Sequence, residues 1–354
     1  MKIKKILICP DSFKGSLPAH IVSKTIAETI RHLCPQILIE ELPLADGGEG
    51  TAKILQNHGF PKKIKTFACD PLGKVIPTFY YTDISGKRAF IESADVIGIS
   101  LLKENERDPF KSSSKGLGEV INIALENGSD EITVSLGGSA TCDGGKGMLE
   151  ILKYDKLKKV KINVICDVDN PLLGDRGAVN IFAPQKGAKP QDLPLLEKRM
   201  ELFFKETLNK GLCDSHDYLK PAGGAAGGLG FAFISILKAR HLKGIDFILD
   251  ILEFEKRLSE VDMIITGEGK LDRQSFMGKV ISGVLKIGLS KKIPVIAMAG
   301  YIENREELEQ TGLTAIYEIS DPHLNLNDNI KMENAIINLK KATNKMVKSL
   351  IDFQ

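Results

Sequence analysis

Apolar runs of strand length recur through the chain, and several break straight into loops where glycine is packed among carboxylates. Residues 6–9 lead to Asp11-Ser12-Phe13-Lys14-Gly15-Ser16, and residues 37–44 to Asp46-Gly47-Gly48-Glu49-Gly50. Residues 131–136 open on a glycine-rich loop over 137–147, residues 161–166 on Asp167-Val168-Asp169, and residues 263–266 on Gly267-Glu268-Gly269-Lys270-Leu271-Asp272. Segments of helical spacing lie between them, with Val22, Ile26, Ile30 and Leu33 on one face and Leu117, Val120, Ile121, Ala124 and Leu125 on another. Strands alternating with helices predict an α/β fold with parallel strands, whose carboxyl ends are where such sheets take ligands.

Between residues 66 and 92 the texture changes. Pro71-Leu72-Gly73 and Ser85-Gly86 join extended runs as turns, which predicts hairpins. The expected architecture is a discontinuous flavodoxin- or Rossmann-like parallel-sheet domain over 1–64 and 258–354. A second α/β domain containing hairpins is expected as an insertion over 65–257. Helices are predicted from near Ser16, after a cap at Ser112-Ser113-Ser114, over 192–210, from 223–230 and over 278–290. Later strands are predicted at 293–299 and 313–319.

Composition narrows the function. The 354 residues suit two domains, and 43% apolar content suffices for real cores. A formal charge of +2, with short Lys runs free of interleaved aromatics, argues against a nucleic-acid partner. No stretch approaches the ~18 apolar residues of a membrane span, and the apolar run before Pro10-Asp11 reads as a strand rather than a signal core. Six scattered cysteines without C-x-x-C spacing suit free thiols and a cytoplasmic setting. The six histidines have no metal-like spacing.

The loops themselves offer anion and cation chemistry. Asp11, Ser12, Lys14 and Ser16 place donors at an expected helix start, where free N–H groups favour anions. Gly47 and Gly48, flanked by Asp46 and Glu49, permit close backbone approach, with carboxylates for a cation or a ligand hydroxyl. Gly137, Gly138, Ser139, Thr141, Gly144 and Gly145 can form a nest for phosphate oxygens, and Asp143 can hold Mg²⁺. Gly227 and Gly228 serve close approach of either a ligand or another backbone. Asp167 ends a strand, and Asn170-Pro171 also reads as a plain turn. Gly267 and Gly269 begin a dinucleotide fingerprint, but Asp272 takes the place of its last glycine, which opposes a nicotinamide-dependent dehydrogenase. Glycine-rich backbone, hydroxyls, Lys14, Lys279 and carboxylates are the parts phosphoryl transfer needs.

The segments DSFKGS (11–16), LADGGEGT (44–51), GGSATCDGGKGM (137–148), CDVDNPLLGDRGAVNIFAPQKGA (166–188), GGAAGGLG (223–230) and TGEGKLDRQSFMGKV (266–280) resemble, in order, the motifs of the glycerate kinase type-1 family, the bacterial-type glycerate 2-kinases. The resemblance implies ATP-dependent phosphorylation of glycerate, most often to 2-phosphoglycerate, with ATP and Mg²⁺. It also implies a flavodoxin-like domain carrying an inserted restriction-enzyme-like domain. On it, Lys14 and Lys279 are expected to bind anionic oxygens, Asp46 or Asp272 to take the hydroxyl proton, and Asp143, Asp167 and Glu268 to serve Mg²⁺. The chain departs from the family pattern at Cys142, where Asn is usual, at Leu117, where Thr is usual, and in a short 148–164 segment. A hydroxy-acid dehydrogenase and a non-catalytic glycerate sensor are the rival readings. Acceptor hydroxyl, enantiomer and homo-oligomerisation stay open.

Overall fold

The structure, a computed structural model, describes residues 3–45, 51–276 and 278–352. Among them the strands are β1 (Lys5–Ile8), β2 (Leu38–Glu41), β3 (Lys62–Cys69), β4 (Val75–Thr82), β5 (Arg88–Glu92), β6 (Glu131–Ser135), β7 (Lys161–Ile165), β8 (Arg240–Leu242), β9 (Met263–Leu271), β10 (Val295–Ile302) and β11 (Ala315–Glu318). The chain divides into two compact units, residues 1–54 with 244–354, and residues 55–243. The joins expected at 64/65 and 257/258 fall within β3 and at the end of the helix Phe254–Arg257.

The first unit holds a five-stranded sheet in the order β11-β10-β9-β1-β2, parallel throughout. Numbered within the unit this is the 2-1-3-4-5 order of flavodoxin-like folds, and its topological switch point lies between β1 and β9. Alternation in the strands sends Ile6, Ile8, Met263, Ile265, Ile296 and Met298 into one core with Val22, Ile26 and Ile30 of the helix Ala19–Leu33. The helix Met332–Asp352 adds Ala335, Leu339 and Met346 to that core. Each large aliphatic side chain buried there stabilises the unit by about 2 kcal/mol before chain entropy is charged against it. The helix Val280–Lys291 packs close to the sheet, since a side chain at Gly288 would meet Val295 Cγ2 at 2.4 Å.

The second unit holds a six-stranded sheet in the order β3-β4-β5-β6-β7-β8. The pairs β3/β4 and β4/β5 are antiparallel hairpins, as the turn residues predict, with Gly73 and Gly86 at positive φ. From β5 to β8 the pairing is parallel, so the carboxyl ends of β5, β6 and β7 share one edge of the sheet. The helix Lys115–Glu126 buries Leu117, Val120, Ile121 and Ala124 against Ile91, Ile132, Val134 and Val164. Leu117 is a core residue there, which accounts for its apolar identity. All six cysteines are free and buried. No helix among the described residues is long and apolar enough to cross a membrane.

Local structure departs from expectation in three places. The helix after β1 begins at Ala19, because Phe13 and Leu17 close a tight turn with N–H···O bonds of 2.7 and 2.9 Å. Buried Phe13 and Leu17 anchor that turn, and Lys14 and Gly15 stand exposed at its tip rather than at a helix start. Second, β9 runs on to Leu271, so Gly267-Glu268-Gly269 is strand, not a phosphate-binding turn. Third, Ser114 does not cap its helix with its side chain, and its hydroxyl reaches Asp143 instead.

Candidate active site

In the first unit, the chemistry gathers at the switch point. Beyond the named ends of β1, Cys9 N–H still donates to Ile265 O and Asp11 N–H to Gly267 O, both at 2.8 Å. This pairing carries buried Asp11 alongside Glu268. The two strand glycines answer to packing: a Cβ at Gly267 would lie 2.3 Å from Met298 O, and one at Gly269 would lie 3.1 Å from Lys14 N. Gly269 therefore lets the turn bearing Lys14 sit against β9.

Glu268 is the perturbed group of this cluster. It is buried, and its Oε1 has no hydrogen-bond partner among the described residues. Burial pushes its carboxyl up to about 7, Ser275 and Lys279 oppose the rise, and the Asp11 and Asp272 carboxylates add to it. Asp272 exchanges hydrogen bonds with Ser275: its N–H donates to Ser275 Oγ at 3.1 Å, and Ser275 N–H donates to Asp272 Oδ1 at 3.2 Å. Lys270 stands 3.3 Å from the other Asp272 oxygen. Lys279 occupies the N-cap of the helix Val280–Lys291, and the buried Ser16 hydroxyl lacks a partner among the described residues. Ser12 N–H donates to Asp11 Oδ1 at 2.6 Å. Asp46, Gly47, Gly48 and Glu49 lie outside the described residues.

In the second unit, the loop after β6 is built around Asp143. Its carboxylate accepts from Ser114 N–H at 2.8 Å, Ser114 Oγ at 2.7 Å, Gly145 N–H at 3.0 Å and Gly147 N–H at 3.1 Å. Three of these bonds go to Oδ2 and one to Oδ1, so the carboxylate holds the loop together. Asp143→Ala is expected to destabilise the protein by about 3 kcal/mol, since four donors lose a charged acceptor. Urea unfolding would read this, and a loss below ~0.5 kcal/mol would refute the structural role.

The glycines of this unit sort by their surroundings. Gly144 and Gly145 adopt positive φ, and a Cβ there would strike the Phe203 ring at 2.7 Å or Ala232 Cβ at 2.5 Å. Ala226, Gly227 and Gly228 form a left-handed stretch inside the helix Ala225–Phe231. A Cβ at Gly227 would lie 1.9 Å from Thr141 O, and one at Gly228 would lie 2.8 Å from Gly144 Cα. At Gly227 and Gly228 another backbone does come close, which is one of the two uses the sequence allowed. Gly137 and Gly138 differ: both are exposed, and Gly137 has open space where a Cβ would be. Ser139 and Thr141 are buried, and the Thr141 hydroxyl lacks a partner among the described residues. Cys142 packs with Leu172, Met200 and Phe204, so its departure from Asn takes nothing from an exposed surface. Asp167 is exposed at the carboxyl end of β7.

Two residues that sequence reasoning passed over belong with these. Glu92 ends β5, and burial, then Asp95, raises its carboxyl to about 7. A carboxylate closing a strand was the available signal. Lys186 is buried, and its Nζ donates to Ser139 Oγ at 3.1 Å and Thr141 O at 2.7 Å. Its lysine type gives no hint of burial, so only its place in the 166–188 motif marks it. Among the described residues no group of three or more His, Cys, Asp or Glu is arranged to hold a metal.

The profile of the glycerate kinase family matches residues 6–157 and 152–351. Glycerate kinase of Bacillus subtilis (strain 168) is 35% identical over 345 residues, covering 89% of this chain and 90% of that one. Glycerate 2-kinase of Escherichia coli (strain K12) is 35% identical over 346 residues, with the same coverage. The crystal structure of a protein from Salmonella typhimurium LT2, provisionally called glycerate kinase 2, superposes with a TM-score of 0.82 at 32% identity over the whole of both chains.

Proposed function

This chain belongs to the glycerate kinase family, phosphotransferases with an alcohol group as acceptor, and from that premise we propose that it transfers the γ-phosphoryl group of ATP to the 2-hydroxyl of glycerate, giving 2-phosphoglycerate. The observation that carries this reading is the switch-point cluster, where Asp11, Glu268 and Asp272 meet Lys279 beside the exposed turn of Lys14. The name of the Escherichia coli relative supports the 2-position. A dehydrogenase is disfavoured, because the Gly-x-Gly of its would-be fingerprint lies within β9.

The buried Oε1 of Glu268, without a hydrogen-bond partner among the described residues, is a single carboxylate oxygen of the kind Mg²⁺ takes along with waters, and the Asp11 and Asp272 carboxylates add negative charge near it. Glu268 would hold the ion. Bound Mg²⁺ supplies neutralisation of phosphate charge. Lys14 and Lys279 bind anionic oxygens of the nucleotide or of the glycerate carboxylate. Asp272 accepts the hydroxyl proton as the acceptor oxygen bonds to phosphorus and the bond to the leaving ADP oxygen breaks. The Ser275 hydrogen bonds orient it for that task. Asp46 is the other candidate base.

An assay with ATP, Mg²⁺ and D-glycerate tests the reaction, with phosphorus NMR distinguishing the 2- from the 3-phosphate. Absence of ADP release would sink the kinase reading. Lys14→Ala and Asp272→Asn are each expected to lower kcat/KM by at least ~100-fold if they act in the transition state. Near-normal rates would remove them from the site.

A further inference from the structure

Lys186 is a buried lysine that makes no ion pair among the described residues. It is 2% exposed, and its ammonium has three protons but, among the described residues, two acceptors, Ser139 Oγ and Thr141 O. An isolated buried ammonium costs several kcal/mol, a cost that an anion seated close by would offset. The surroundings indicate where. The backbone bonds Ile99 N–H to Gly138 O and Ala140 N–H to Ile97 O, each 2.8 Å, hold the loop. Gly227 sits close to Thr141 O, where no Cβ fits. Lys186 ties Ser139 and Thr141 of this held segment, while the adjoining Gly137 and Gly138 stay exposed, with open space where a Cβ of Gly137 would be. The residue whose carbonyl holds the ammonium also carries a buried hydroxyl without a partner among the described residues.

We propose that Lys186 is a positioning residue of an oxyanion site on the loop after β6, fixing Ser139 and Thr141 and lending its positive charge to a phosphate or carboxylate seated at Gly137–Gly138. Asp143 and Cys142 are the charged and titratable neighbours that act on Lys186, and the Asp143 carboxylate, which accepts from Ser114, Gly145 and Gly147, accepts no hydrogen bond from the ammonium among the described residues. Burial lowers the ammonium's own pKa, Cys142 and Asp143 oppose the drop, and an anion bound close by would oppose it further. The idea rests on the kinase reading for the identity of the anion, not for the existence of the site.

The test is direct binding of ADP, adenosine, inorganic pyrophosphate and D-glycerate by calorimetry to the full chain and to Lys186→Met. The expected result is at least a tenfold weaker Kd for pyrophosphate and ADP with adenosine unchanged, or the same loss for glycerate alone. The first assigns the anion as phosphate and the second as carboxylate. A merely structural lysine would weaken adenosine along with ADP. Anion affinities within twofold of the parent protein would overturn the proposal. If Lys186→Met fails to fold, Ser139→Ala removes one ammonium acceptor and keeps the charge, and at least a threefold change in the same anion Kd is expected. No change there overturns it equally. A parent protein without ATP turnover would sink the kinase reading alone, since pyrophosphate binding needs no turnover.

Discussion

Replacing Glu268 by Gln is expected to lower kcat/KM at least ~100-fold and, at the same time, to make the protein more stable at pH 8. The two effects share one cause. The carboxyl is buried, and burial raises it to about 7 from the usual 4.5, aided by Asp11 and Asp272. A rise of that size corresponds to roughly 3 kcal/mol between protonation states. The folded value lies above the unfolded one, so the contribution to stability is full below pH 4.5 and is lost as pH rises through 7. Gln lacks that loss. Urea unfolding of both proteins should therefore converge near pH 4 and separate by up to about 3 kcal/mol at pH 8. Millimolar Mg²⁺ should close the gap by stabilising only the parent protein, as any ligand selective for the folded state does. Curves that stay parallel across pH, or activity within tenfold of the parent, would show that Glu268 is an ordinary buried acid.

Gly227→Ala is the largest expected loss of stability, at least about 3 kcal/mol. A methyl group there would stand 1.9 Å from a backbone carbonyl, and the residue sits at φ +69°. Neither problem has a flexible side chain to absorb it, because Thr141 O is also bonded to Lys186. Gly137→Ala is the control: open space surrounds its Cβ, so stability should change by less than about 1 kcal/mol while anion affinity falls. Equal unfolding midpoints for Gly227→Ala and the parent would refute the packing account of that glycine.

The glycine-rich segments were legible in the sequence, but their uses were not separable there. Gly137 and Gly227 read alike along the chain, and only the neighbour across space tells an open turn from a backbone contact. Asp143 and Glu268 read alike as loop carboxylates. One proves bonded to Ser114, Gly145 and Gly147, and the other keeps an oxygen without a partner among the described residues. Lys186 could not be found by type, since lysine is ordinarily a surface residue and its burial is a property of the packed unit.

By itself the sequence determined the alternation of strands and helices, the hairpins before β5, the discontinuous α/β arrangement and the family, because hydrophobic period, turn chemistry and motif order are local and written in line. The tertiary structure alone decided that Gly-Glu-Gly continues β9, that Lys14 rides a closed turn and that the switch point gathers Asp11, Glu268, Asp272 and Lys279. Those outcomes depend on which strands pair and which atoms lose water, and both are settled by residues hundreds of positions apart.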